Sequence, residues 1–339
     1  MPVKDINLPV SLWFRAVKNG LRSRCCLSVS RVVKNGHRYR FCCSEFLGGT
    51  MHLFRKYAYL FIAPALLMLA VFSLYPLLQS IFISFHRLDL HENVMRFTGL
   101  SNYVSLIHDK RVLLALYHTL LFASVSVALE MVWGLVLALV LQQSFRGVGL
   151  ARAAVMIPWA MPAVVVALLW RWMFNEQYGF VNMLLVKTGM VSFPLPFLSS
   201  PLFASVAVIV CDVWKTTPFM AILLLAGLQS IPRELYESAM VDGASALQRF
   251  RYITLPLLKP AILVALLFRT MDALRMFDTV YVLTGGGPGN ATETLSVYAY
   301  KTMFSYLDFG AGSALAVVTF LTVMVVSIVY VVLLRRQNE

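Results

Sequence analysis

From residue 57 onward, long apolar stretches alternate with short polar connections. Six stretches have the length that a helix needs to cross about 30 Å of hydrocarbon. They cover residues 57–85, 113–141, 153–170, 202–228, 261–283 and 311–334. The first and the last carry no charged residue, and the second carries one acid, Glu130. Pro158 and Pro162 lie in the third, and Asp212 and Lys215 interrupt the fourth. The fifth holds Arg269, Asp272, Arg275 and Asp278, alternating in sign at every third residue. This pattern predicts an all-α polytopic membrane protein with six transmembrane helices.

Composition supports that reading. Hydrophobic residues make up 59% of the 339 and charged residues 13%, about half of the roughly 25% of soluble domains. So little polar surface would not cover a soluble exterior. The net charge of +13 is concentrated at the start, where residues 1–56 hold 11 Lys/Arg against 2 Asp/Glu. That placement suits a cytoplasmic segment facing lipid rather than a nucleic-acid partner. Four of the five cysteines lie in the tail, as Cys25, Cys26, Cys42 and Cys43, with only His37 between the pairs. The spacing of a zinc site is missing, so no metal is expected. Cys211 reads as a small core residue. The tail lacks the apolar core of a signal peptide, and Met51 stands just before the first span. Residues 1–50 therefore read as a basic, disordered extension, or as an over-extended gene start.

Orientation follows from the Lys/Arg of the connections. With the N-terminus inside, the inner segments carry ten and the outer ones seven, and the tail adds nine more inside. Both termini are expected in the cytoplasm. Residues 86–112 then form an extracytoplasmic loop, and residues 113–334 a core of five spans.

One inner connection, residues 232–256, is polar and helix-like. Pro232 suits a first helical turn, and Glu234 and Glu237 suit the positive helix start. Gly243 can take the positive φ that ends one helix and begins another. "ASALQRFRYI" resumes helical character, and Pro256 is expected to end it before the next span. Two short helices at the membrane face result. They are either an interfacial amphipathic element or a surface for a soluble partner.

The spacing of Glu237-Ser238-Ala239, then Gly243, then Ile253-x-Leu255-Pro256 resembles the EAA loop of permease subunits of binding-protein-dependent ABC importers. Ser238 stands where the second alanine is usual. "FTGLSNYVSL" and "VLTGGGPGNATETLSVYAY" resemble the carbohydrate branch, which includes maltose, trehalose and glycerol 3-phosphate permeases. The resemblance covers residues 57–336. It implies the MetI-like permease fold, in a multi-pass protein of the bacterial plasma (inner) membrane. It also implies a coupling helix that docks on a cytoplasmic ATPase. By that resemblance Glu237, Ala239, Asp242, Gly243, Ile253, Leu255 and Pro256 are the coupling residues. The implied partners are a second permease subunit, two ATPase subunits, an extracytoplasmic solute-binding protein and the bilayer. The implied solute is a sugar, a disaccharide such as trehalose or maltose, with glycerol 3-phosphate or another sugar as the alternative.

The charges of the fourth and fifth spans need an account of their own. At membrane depth they should face protein or a water-filled cavity. Steps of three put opposite signs within pairing reach, so an internal salt-bridge ladder and a solute site are both open readings. Asp212, Lys215, Thr216 and Phe219 share related faces of the fourth span. With Asp272, Arg275 and Asp278 they form the expected substrate path. Glu130 reads as a structural hydrogen-bonding acid, and Trp214 as a packing residue. No G-x-x-x-x-G-K-[ST] cradle is present, so the chain is expected to be non-catalytic. It is expected to hold no cofactor of its own, and by the resemblance ATP and Mg belong to the partner ATPase. "GGGPGN" lacks the cradle's lysine and reads as a mobile turn at the outer mouth. A proton-coupled secondary transporter would want internal repeats, and an enzyme a nucleophile–base or metal set. The chain shows no such feature.

Overall fold

The structure is a computed structural model that describes residues 32–34, 37–39, 62–89 and 94–336. The chain divides into two units, residues 1–76 and 77–339. The expected disorder of the tail, its four cysteines and the start of the first span fall largely outside the described residues. Within the tail, β1 (Val32–Lys34) pairs antiparallel with β2 (His37–Tyr39).

The first span is α1 (Ile62–Ser84), which contains a π-helical turn at Ala70–Leu74. A hairpin follows, β3 (His86–Asp89) with β4 (Val94–Phe97), then α2 (Ser101–His108). Asp109 accepts a hydrogen bond from the Arg111 amide and opens α3 (Lys110–Gln142). The next helices are α4 (Val148–Ala160), α5 (Ala163–Met173), α6 (Phe180–Lys187) and α7 (Pro201–Gln229). After α8 (Arg233–Val241) comes α9 (Ala246–Leu274). The chain closes with α10 (Asp278–Leu283), α11 (Leu295–Phe304) and α12 (Phe309–Arg336). Among the described residues α1, α3, α7, α9 and α12 are long and apolar enough to cross a membrane, and α4 with α5 makes a sixth if counted together.

That sixth span is not the continuous helix expected from its hydropathy. It bends by 88° between α4 and α5. Pro158 is accommodated inside α4, but Pro162 forces the preceding Met161 out of the helical region, to φ −75° and ψ 140°. Pro162 itself is extended at ψ 136°. Two consecutive non-helical residues turn the chain.

The fifth span also differs from expectation, at both ends. Pro256 does not stop the inner helix. Its ring would press on the carbonyl four residues back, Tyr252. A π-helical turn at Phe250–Thr254 widens the helix there, and α9 runs unbroken from the loop after α8 into its apolar stretch. At the outer end the helix stops early. Arg275 and Phe277 leave helical geometry, and Asp278 opens the separate α10. The Thr294 hydroxyl donates to the Met276 carbonyl at 3.0 Å and satisfies a group left free by the break.

The longest contact is that of α3 along α7, and α9 packs on both. Met220, Leu224, Leu228, Leu258 and Ala265 fill the core between them. Lipid tails are as apolar as these side chains, so close packing and polar ties hold such helices together. Gly227 shows the closeness, since a Cβ there would overlap the Ala261 side chain of α9. The outward faces of α3 and α12 stay apolar and exposed, as lipid-facing surfaces must.

The loop after α10, expected as a mobile turn, is held by hydrogen bonds. The Thr284 and Thr292 hydroxyls lie 2.7 Å apart, and Thr292 also donates to the Gly287 carbonyl at 2.8 Å. Thr292, Glu293 and Thr294 are fully buried. Glu293 accepts from Arg111 at 2.7 and 2.9 Å and from Lys301 at 2.7 Å. Burial would push the Glu293 carboxyl up, but these two cations outweigh it and hold it below the usual carboxylate range. The loop thus clamps the start of α3 to α11.

Candidate functional site

Two regions carry the polar chemistry expected of a site. The first is the inner connection. α8 ends at Val241, and Gly243 stands at φ +77°. The Gly243 amide donates to the Met240 carbonyl at 3.1 Å and the Ala244 amide to the Ala239 carbonyl at 2.9 Å. This Schellman closure needs a left-handed residue at position 243. Two residues later Ser245 caps α9, and its side chain and that of Gln248 each bond the other's backbone amide, at 3.3 and 2.7 Å. Asp242 and Gly243 are therefore turn residues. Glu237 lies on the exposed side of α8, and Ala239 and Ile253 are partly buried. Leu255 and Pro256 open the regular helix after the π turn. Leu235, Met240 and Val241 leave their apolar side chains in solvent, Val241 at 88% exposure, on a helix at the polar end of the bundle. Apolar side chains left exposed on a short polar helix suit an interaction surface.

The second region lies where the broken ends of α9 and α4–α5 approach each other. A cavity of about 200 Å³ is lined there by Asp212, Lys215, Thr216, Arg269, Asp272, Arg275 and Asp278, with Ala163, Met276, Phe277 and Thr279. The structure thus brings together six of the seven residues expected on the substrate path. Phe219, about one turn beyond Thr216 on α7, does not line the cavity and stacks instead on Trp159, with ring centroids 5.5 Å apart. Trp214 packs edge-on against Trp170.

The charges around the cavity sort by depth. Arg269 is 1% exposed, Glu130 0% and Asp212 5%. The Arg269 guanidinium donates through Nε and Nη2 to the Glu130 carboxylate, and through Nη2 to Asp212 as well. One cation from α9 thereby fastens α3 and α7. The Thr216 hydroxyl lies 2.6 Å from Glu130 Oε1 and completes the acid's shell. Asp272 touches Arg269 at 3.3 Å and Arg275 at 3.8 Å, but these two side chains are 58% and 65% exposed. The buried ion set is thus Arg269 with Glu130 and Asp212, while Asp272 and Arg275 face the cavity. Lys215 and Asp278 make no ion pair among the described residues.

Sequence reasoning placed Glu130 apart from this group. A signal was available, since an arginine at membrane depth demands acids on facing helices. Glu130 and Asp212 are the acids that the second and fourth spans offer. Met276, Phe277 and Thr279 were missed because the break after Leu274 has neither proline nor glycine to announce it.

Comparison with known proteins adds a second line of observation. Residues 130–339 match the family model described as binding-protein-dependent transport system inner membrane component. The chain is 45% identical to the trehalose/maltose transport system permease protein MalF of Thermococcus litoralis, over 84% of this chain and 95% of that protein. It is 41% identical to the sulfoquinovosyl glycerol transport system permease protein SmoG of Agrobacterium fabrum, over 84% and 92%. It is 40% identical to the trehalose transport system permease protein SugA of Mycobacterium tuberculosis, over 82% and 88%. Among solved structures, a bacterial alginate ABC transporter in complex with alginate pentasaccharide-bound periplasmic protein shares the fold. Its TM-score is 0.72 at 23% identity, over 83% of this chain and 95% of that one.

Proposed function

The chain belongs to the inner membrane components of binding-protein-dependent transport systems, and from that premise we propose that it forms one wall of the path by which an ATP-driven importer takes up a sugar. A disaccharide such as trehalose or maltose is the proposed cargo. The observation that carries this reading is the placement of the polar cavity. It opens where the broken ends of α9 and α4–α5 meet, in a chain whose full-length relatives are named for trehalose and maltose. Exposed Asp272 and Arg275, with Asp278 and Lys215, offer both acceptors and donors for hydroxyl groups. The buried Arg269 set lies behind them and holds the wall in shape.

The inner loop supplies the second half of the reading. α8 presents apolar and acidic side chains to solvent and is proposed to dock on a cytoplasmic ATPase, which binds ATP and Mg. Glu237, Ala239, Asp242, Gly243, Ile253, Leu255 and Pro256 build and orient that surface. A second permease is proposed to close the path, and an extracytoplasmic binding protein to deliver the sugar. Both termini then lie in the cytoplasm, and the chain is proposed to hold no cofactor itself.

The test is uptake by vesicles that carry this chain with its second permease, two ATPase subunits and binding protein. Radiolabelled trehalose and maltose should enter only with ATP, and glycerol 3-phosphate should compete weakly. Uptake by this chain alone, driven by a proton gradient, would replace the importer with a secondary transporter.

A further inference from the structure

α8 is joined to the rest of the protein sparingly. Of its nine residues only Tyr236 and Ala239 are partly buried, and the others are exposed. Among the described residues, one side-chain hydrogen bond or ion pair leaves the helix. The Tyr236 hydroxyl meets the Thr254 hydroxyl at 2.9 Å. Thr254 is buried, ends the π-helical turn of α9, and lies where the inner loop becomes the membrane span. Along the chain, α8 and α9 are linked by the four residues 242–245, fixed at one end by the Schellman closure and at the other by the capping box. These bonds shape the turn locally but leave the angle between the helices to be set elsewhere. A third point of attachment, about two turns into α9, ties the two helices together.

We propose that the Tyr236–Thr254 hydroxyl pair is the link through which a displacement of α8 is passed to α9, and so to the cavity wall. The proposal rests on the reading that α8 docks on the ATPase. With the pair intact, α8 and the inner end of α9 move as one body. With it removed, α8 swings about residues 242–245 and the span stays behind. Tyr236 is thus a positioning residue, and its loss separates hydrolysis from transport. The Thr254 hydroxyl has a second acceptor, the Arg249 carbonyl at 3.5 Å, so loss of the tyrosine hydroxyl leaves no buried donor stranded.

The experiment compares Tyr236→Phe, Thr254→Val and Thr254→Ser in the complete importer complex. Three quantities are read: co-purification of the ATPase, uptake of radiolabelled trehalose, and ATP hydrolysed per sugar imported. A single lost hydrogen bond corresponds to about fivefold in an equilibrium. Tyr236→Phe and Thr254→Val should keep the ATPase bound and raise ATP hydrolysed per sugar by about fivefold. Thr254→Ser keeps the hydroxyl and should behave as wild type. A purely structural role would lower assembly and both activities together and leave that ratio unchanged. A wild-type ratio in Tyr236→Phe overturns the proposal, as does failure of both Tyr236→Phe and Thr254→Val to assemble. Val241→Asp, on the exposed face, separates the two ideas. If that variant keeps the ATPase at wild-type yield, the docking reading fails and takes this proposal with it. If it loses the ATPase while Tyr236→Phe shows a wild-type ratio, the link alone is wrong.

Discussion

Replacing Arg269 with methionine removes the one cation shared by three helices. The side chain is 2% exposed, and its partners Glu130 and Asp212 are 0% and 6% exposed. Breaking a buried ion pair by deleting one partner costs about 3–5 kcal/mol, because the other charge stays buried and unpaired. Here two carboxylates are stranded, and both point into the space the guanidinium filled, so the cost belongs at the upper end of that range. A unit that spans residues 77–339 shifts its melting midpoint by about 2 °C per kcal/mol, which gives a drop of about 10 °C. The assay is thermal unfolding of the purified complex followed by size-exclusion chromatography, with membrane insertion checked by alkaline extraction. The triple variant Arg269→Met, Glu130→Gln, Asp212→Asn provides the control. With the acids neutralised it should recover most of the loss, since neutral groups in place of a buried ion set are often no worse than the set itself. A midpoint within 2 °C of wild type for Arg269→Met alone would refute the reasoning, and so would a triple variant no better than the single.

Three further outcomes are expected. Gly243→Val meets open space, so its cost is the backbone's alone, about 1–2 kcal/mol or more for a β-branched residue at φ +77°; ATPase co-purification should fall while membrane insertion stays intact. Glu293→Gln should loosen the outer loop at neutral pH, read as faster proteolysis from the extracytoplasmic side. The wild-type carboxyl is held below its unfolded value, so its contribution is complete above about pH 4.3 and fades only as pH falls through the depressed folded value; wild-type proteolysis should therefore stay unchanged from pH 7 to pH 5. Asp278→Ala should lower sugar uptake and alter the preference between trehalose and maltose at normal complex yield, and identical transport of every sugar would remove Asp278 from the path.

The spans and the inner loop were legible because their causes are local. Apolar length reports a membrane crossing, and Gly243 with its flanking residues encodes a turn that the Schellman closure then uses. Two kinds of feature were not legible. The helix breaks depend on details finer than hydropathy. Pro162 was visible, yet its effect on Met161 turned one expected span into two helices at 88°. Pro256 was equally visible and had the opposite outcome, because a π turn absorbed it. The ion set is the other kind. Glu130 and Asp212 lie 139 and 57 residues from Arg269, and only the packed bundle brings them to one guanidinium. Local spacing left a stepwise ladder along one helix and a solute site both open, and Asp272 with Arg275 keeps a weak form of the ladder at the cavity surface.

The two attachments of α9 to α7 constrain how the importer can move. A beam pinned at one point can rotate, whereas one pinned at two cannot. α9 is held at Ala261, where Gly227 lets the backbones meet, and again at Arg269, where the guanidinium grips Asp212 and Glu130. The two points are eight residues apart, about 12 Å along the axis. Tilting α9 against α7 would have to open one contact or shear the other. The three helices α3, α7 and α9 therefore share a single set of rigid-body coordinates. The freedom left inside the wall lies in a few non-helical residues, Met161–Pro162 and Arg275–Phe277. Those residues adjoin or line the cavity, so what little this wall can do to change its own shape happens beside that cavity.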